Sequence, residues 1–129
     1  MEKERLDFLA NQVFTASLEV HKNLGPGLTE TVYESALVKE FEIRDIPAIQ
    51  QVKTPLFYKG FELGESFFID LLVENEVIVQ VKSCEGGLDP VHKAQLLSFL
   101  KLANKKLGFL INFNVPLLKE GFERVAYKY

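Results

Sequence analysis

An α/β fold, with a β-sheet flanked by helices, is predicted by three features of the sequence. Apolar residues recur at steps of three and four through the first third of the chain, and the period falls to two between Ile49 and Ser83. A further helical stretch and a very apolar run follow. The element order is therefore α, α, β, β, β, α, β, β. Leu6, Leu9, Val13, Ala16, Val20 and Leu24 lay one stripe along the first helix, and Gly25-Pro26-Gly27 stops it. A second helix spans Thr29 to Arg44, with Val32, Tyr33, Ala36, Leu37 and Phe41 inward, and ends before Pro47.

Val52 to Tyr58 reads as a strand interrupted by Pro55, which implies a sheet edge or a bulge, and Lys59-Gly60 is a turn signal. Ser66 to Val73 and Val77 to Ser83 form a hairpin around the polar turn Glu74-Asn75-Glu76. Pro90 to Ala103 is helical, with Ala94, Leu96, Leu97, Phe99 and Leu100 toward the core. Leu107 to Phe113 looks like a buried central strand, and Arg124 to Lys128 like a closing one.

A length of 129 residues favours a single domain, 1–129, and allows a sizeable core. With 47% hydrophobic and 26% charged residues, disorder, collagen and fibre are excluded. The single Cys84 leaves no intramolecular disulfide, which favours a reducing, cytoplasmic setting. No apolar run is long enough for a signal peptide or a membrane span. Fifteen basic against 18 acidic residues give a net charge of −3, so a polyanion has to be gripped by a local patch. The apolar closing strand and 11 Phe residues offer a surface for a homodimer, although a core absorbs them equally well.

The hairpin carries the most informative polar residues. Asp70 interrupts the apolar run from Phe67 to Val73, and a carboxylate there needs a partner or a job. Gln80 and Lys82 break the next strand and, two residues apart, share one face. If Val73 pairs with Val77, Asp70 lies opposite Gln80 with Lys82 one diagonal step away. A register shifted by one residue would send Asp70 to the other face. Carboxylate and amide oxygens suit Mg²⁺ or Mn²⁺, and a lysine beside them can orient an attacking water and neutralise charge on a phosphodiester. The plainer alternative is a semi-buried Asp70–Lys82 ion pair that fixes the register.

The run Gly27-Leu28-Thr29-Glu30-Thr31-Val32-Tyr33 matches the GxxExxY signature, and His21 to Leu28 and Lys106 to Phe113 also look like that family. The chain thus resembles GxxExxY proteins, of the PD-(D/E)xK nuclease superfamily, from about Leu9 to Val125. The resemblance implies a restriction-endonuclease-like core, α-β-β-β-α-β, with a mixed central sheet flanked by helices. It also implies a divalent metal, Mg²⁺ or Mn²⁺, and a nucleic-acid partner, DNA or RNA. By position, Asp70 would be the main metal ligand, and Gln80-Val81-Lys82 would stand in the ExK place, with Gln80 replacing the usual Glu. Glu30 would add a carboxylate, while Gln95 and His92 would order the site or contact substrate. Phe68 stands where many members have Arg, and Phe99 where many have an aromatic hydroxyl.

Each assignment has a structural alternative. Glu30 at a helix start complements the helix dipole, and His21 near the end of the first helix does the same with opposite sign. Tyr33 is read as packing, and Gly25 and Gly27 as a turn that needs positive φ. His92 and Gln95 also fit a solvated helix face. Two functions follow: a metal-dependent nuclease acting through Asp70, Gln80, Glu30 and Lys82, or a weakened or inactive nuclease fold that binds nucleic acid or a protein partner.

Overall fold

In the computed structural model, which describes residues 2–129, helices α1 (Glu2–Leu24) and α2 (Glu30–Ile43) precede strands β1 (Ala48–Tyr58), β2 (Phe61–Val73) and β3 (Val77–Lys82). Helix α3 (Pro90–Ala103) leads to β4 (Leu107–Asn112), and a short 3₁₀ turn at Leu118–Gly121 leads to β5 (Phe122–Ala126). The five strands form one sheet in the order β1-β2-β3-β4-β5. Only β3 and β4 are parallel neighbours, and α3 supplies the crossover that such a pair requires. The mixed sheet flanked by helices is thus present. Among the described residues no helix is long and apolar enough to cross a membrane.

The two faces of the sheet carry separate apolar clusters. Leu6, Leu9, Val13 and Ala16 of α1 and Tyr33, Leu37 and Phe41 of α2 pack on Leu71, Val73, Val79, Val81, Phe109 and Ile111. Leu96 and Leu100 of α3 pack on Phe67, Ile69, Leu72, Ile78 and Leu110 on the other face. Three residues expected inward are instead exposed: Leu24 at the end of α1, Val32 in α2 and Ala94 in α3. In α2 the buried stripe runs through Tyr33, Glu34, Leu37 and Phe41, which turns Val32 to solvent.

Tyr33 explains how the two N-terminal helices are joined. Its ring is fully buried and stacks on Phe113 with centroids 4.4 Å apart. Its hydroxyl donates to the Gly25 carbonyl at 2.6 Å and accepts from the Leu28 N–H at 3.1 Å. The linking turn needs φ of +74° at Gly25 and +94° at Gly27, which side chains other than hydrogen disfavour. At its other end α2 closes with the Ile46 N–H on the Phe41 carbonyl and the Asp45 N–H on the Glu42 carbonyl, with Asp45 left-handed at φ 59°. This Schellman arrangement satisfies the last carbonyls and sends the chain into β1.

The β1–β2 hairpin is longer than the period-two signal indicated, because β2 begins at Phe61 and not at Ser66. Lys59 and Gly60 form its turn with φ of 50° and 84°, and a bulge lies between Pro55 and Phe57 on the sheet edge. Phe57, Tyr58, Phe61 and Leu63 are all exposed on this arm. The β2–β3 turn is held from outside: Arg5 of α1 donates to Glu74 at 2.9 Å and also to Glu76. That contact steadies the register on which the site depends.

Candidate active site

Val73 pairs with Val77, Leu72 with Ile78 and Leu71 with Val79, so Asp70 falls opposite Gln80 as the three-residue turn requires. Side chains take over the pairing at this step. The Asp70 N–H donates to Gln80 Oε1 at 2.9 Å, and the Val81 N–H donates to Asp70 Oδ2 at 2.8 Å. Both backbone groups are satisfied while the two strands part enough to admit the side chains.

On the other side of β2, Gln50 pairs with Leu71 and Val52 with Ile69, leaving Gln51 opposite Asp70. Gln51 is left-handed, with φ 53°. A non-glycine residue held there costs roughly 1–3 kcal/mol, which the surroundings must offset. The strand alternation changes phase at this level. Phe67 and Ile69 pack on the α3 side, whereas Leu71 and Val73 pack on the α1/α2 side. Asp70 sits at the crossover, beside both layers.

Glu34, from α2, completes the cluster and is 6% exposed. Its Oε1 accepts from Gln50 Nε2 at 3.2 Å and from Gln51 Nε2 at 2.8 Å. The same Gln51 nitrogen donates to Asp70 Oδ1 at 3.3 Å. Two carboxylates are therefore joined through one neutral amide. Burial pushes the Asp70 carboxyl above the ordinary carboxylate range, and the negative charge of Glu34 adds to the rise. The Val81 N–H, Gln51 and the Lys82 ammonium oppose it.

Lys82, half-buried at the end of β3, makes no side-chain hydrogen bond or ion pair among the described residues. The contact ion pair with Asp70 considered from the sequence is not formed. The strand end is secured instead by Asn112, which pairs with Lys82 across the parallel ladder and is fully buried. Asn112 Oδ1 accepts from the N–H groups of Cys84 at 2.9 Å and Asn114 at 3.1 Å, and Nδ2 donates to the Cys84 carbonyl at 3.1 Å. Gly121 leaves room for this clamp: a Cβ there would lie 2.2 Å from the Asn112 carbonyl oxygen.

Asp70, Gln80 and Lys82 thus come together, and other sequence candidates stand apart. Glu30 is exposed in the first turn of α2 and makes no hydrogen bond or ion pair among the described residues. The α2 carboxylate whose charge acts on Asp70 is Glu34, one turn further on. His92 serves the start of α3, where its Nδ1 accepts the Asp89 N–H at 3.2 Å. Gln95 is exposed on the same helix. His21 is structural: its Nε2 lies 2.9 Å from the Val115 carbonyl.

Glu34, Gln51 and Asn112 were not singled out from the sequence. Glu34 had a signal, since it lies three residues before Leu37 and seven before Phe41, on the apolar stripe of α2. A carboxylate in that stripe needs a reason. Asn112 likewise interrupts the apolar run Leu107 to Phe113. Nothing in the sequence marks Gln51 over Gln50.

Among the described residues no three His, Cys, Asp or Glu side chains cluster as a metal site. The donors at hand are two carboxylates, Asp70 and Glu34, and the Gln80 amide oxygen. This all-oxygen set fits a small hard cation better than zinc or another soft metal. Asp70 on one strand with Gln80-Val81-Lys82 on its neighbour occupies the positions to which the family resemblance assigns the metal ligand and the ExK motif. Comparison with curated proteins and with solved structures gives no significant match. Comparison with known families gives a match to the PD-(D/E)XK nuclease superfamily over residues 7–125, nearly the whole sequence. The chain belongs to the PD-(D/E)XK nuclease superfamily, and its five-stranded mixed sheet with flanking helices is the restriction-endonuclease-like fold.

Proposed function

We propose that this chain, acting as one domain of the GxxExxY type, is a nuclease that hydrolyses DNA or RNA phosphodiester bonds with Mg²⁺ or Mn²⁺. The observation that carries the reading is that half-buried Asp70 and buried Glu34 are bridged through the Gln51 amide beside an uncommitted Lys82 ammonium. Asp70 and Glu34 would hold the cation, with Gln80 in an accessory part. Glu34 takes the place that the resemblance gives to Glu30. A bound divalent cation supplies Lewis-acid stabilisation of the negative charge that develops on the phosphodiester.

The chain's own residues do the rest. Gln80 holds the Asp70 backbone N–H and the Val81 N–H holds the Asp70 carboxylate, so little reorganisation is needed at the moment of reaction. Lys82 donates hydrogen bonds to the attacking water and screens the phosphate charge. Asn112 holds the end of β3 from which Lys82 projects. Gln95 and His92, on α3, would contact substrate only at the margin, since His92 is engaged in capping.

A second reading, a weakened fold that binds nucleic acid or a protein partner, is favoured by one observation. The Gln80 oxygen already accepts the Asp70 N–H and adds no charge to the site. Cleavage separates the two. Wild type, Asp70→Ala and Lys82→Ala are compared on single- and double-stranded DNA and RNA with Mg²⁺, Mn²⁺ or EDTA. The nuclease reading expects metal-dependent cleavage that both substitutions abolish. Equal background cleavage by all three proteins would contradict it.

A further inference from the structure

We propose that the Gln51 side-chain amide is a displaceable stand-in for the cation, so that metal binding requires Gln51 to leave the site. The inference rests on the metal-dependent reading above and adds a residue that controls loading. Gln51 Nε2 donates one hydrogen to Glu34 Oε1 at 2.8 Å and the other to Asp70 Oδ1 at 3.3 Å. An amide that presents two N–H groups to two carboxylates does electrostatically, in part, what a cation would do. The two cannot share the place, because the amide hydrogens point where positive charge is wanted.

The surroundings are arranged for exchange. Gln51 is exposed, it lies on the edge strand β1, and its left-handed φ of 53° departs from the strand on either side. Both carboxylates keep another donor when it swings out. Gln50 Nε2 still reaches Glu34 at 3.2 Å, and the Val81 N–H still reaches Asp70 Oδ2 at 2.8 Å. The carboxylates thus stay aimed while their shared amide is given up. Gln51 is a positioning residue in this scheme, holding two like charges together until a cation replaces it.

Displacement lowers the apparent metal affinity by the fraction of molecules in which the latch is shut, so removing the amide should tighten Mn²⁺ binding by about three- to tenfold. The same removal leaves Glu34 and Asp70 without their common donor, so the metal-free protein should melt at a lower temperature. A residue that merely supported the site would lower both affinity and melting temperature. Opposite movement of the two readouts is what displacement requires.

The test uses the full chain, MnCl₂ titration calorimetry and thermal unfolding in EDTA on wild type, Gln51→Ala and Gln51→Gly. Glycine accepts the positive φ, so the second variant folds even where the first is compromised. Tighter Mn²⁺ binding in either variant, with a lower metal-free melting temperature in Gln51→Ala, supports the proposal, as does binding seen only in a variant. The melting readout belongs to Gln51→Ala, since glycine also relieves the cost of the positive φ. Mn²⁺ binding by wild type with equal or weaker binding by the variants overturns the latch and leaves the metal site standing. Absence of Mn²⁺ binding by all three proteins overturns the latch and the metal-dependent reading together.

Discussion

Asp70 and Gln80 exchange roles across the β2–β3 hairpin: the side-chain oxygen of Gln80 accepts the backbone N–H of Asp70, and the Asp70 carboxylate accepts the N–H of Val81. This reciprocal pairing fixes a carboxylate between strands at the point where the sheet alternation changes phase. It also commits Gln80 to a structural bond, which makes residue 80 the natural place to alter the site's charge.

Gln80→Glu keeps an oxygen for the Asp70 N–H and adds a negative charge beside Asp70 and Glu34. Divalent metal should bind about tenfold more tightly, equivalent to roughly 1.4 kcal/mol, and cleavage should rise with it. In EDTA the same variant should be less stable than wild type, because three carboxylates then crowd one spot. Calorimetry with Mn²⁺ and melting in EDTA check both halves. Weaker metal binding would show that the Gln80 geometry, and not its missing charge, sets affinity.

Asp70 predicts a distinctive pH dependence. Because burial raises its folded-state pKa, Asp70 favours the fold when protonated. That contribution is fully present below the unfolded carboxyl pKa, near 4, and is lost as pH rises through the folded value. Asp70→Asn keeps an oxygen for the Val81 N–H and stays neutral, so at pH 7 it should be about 0.5–2 kcal/mol more stable than wild type in the absence of metal. Urea unfolding should find the difference shrinking toward zero below about pH 4. A difference that is constant with pH would mean that charge burial is not its cause.

Glu34 and Glu30 can be separated by the same chemistry. Glu34→Gln should weaken Mn²⁺ binding by about ten- to a hundredfold, whereas Glu30→Gln, on an exposed first turn, should leave it within about twofold. The reverse ranking would return the α2 carboxylate role to Glu30.

Lys82 makes no side-chain hydrogen bond or ion pair among the described residues. Lys82→Met, which keeps the length of the stem, should therefore change stability by no more than about 0.5 kcal/mol while abolishing cleavage. Loss of stability by several times that amount would identify Lys82 as structural.

How much of this was legible in the sequence depended on which signals were local. The Asp70–Gln80 apposition was readable because the polar turn Glu74 to Glu76 counts three residues and sets Val73 against Val77. Helix α3 was readable from Pro90 and the helical spacing beyond it. The extra reach of the β1–β2 hairpin was not, because Phe61 to Glu65 is exposed on every side and shows no buried alternation. Gln51 was illegible for a different reason. Its left-handed backbone is imposed by partners from α2 and β2, distant in sequence, and a reading of period two assumes that no such phase change occurs. Glu34 was legible in principle as a charge on an apolar stripe, but Glu30 in the signature drew the assignment.

The central claim is that Asp70 and Glu34 form one divalent-cation site within this nuclease fold. The most direct measurement is a crystal structure of the full chain grown with MnCl₂, with anomalous scattering to locate the ion. The account predicts an anomalous peak coordinated by the Asp70 and Glu34 carboxylates, with Gln51 withdrawn from both. A peak at Glu30 or elsewhere, or saturating Mn²⁺ with no peak and the Gln51 bridge intact, would contradict it.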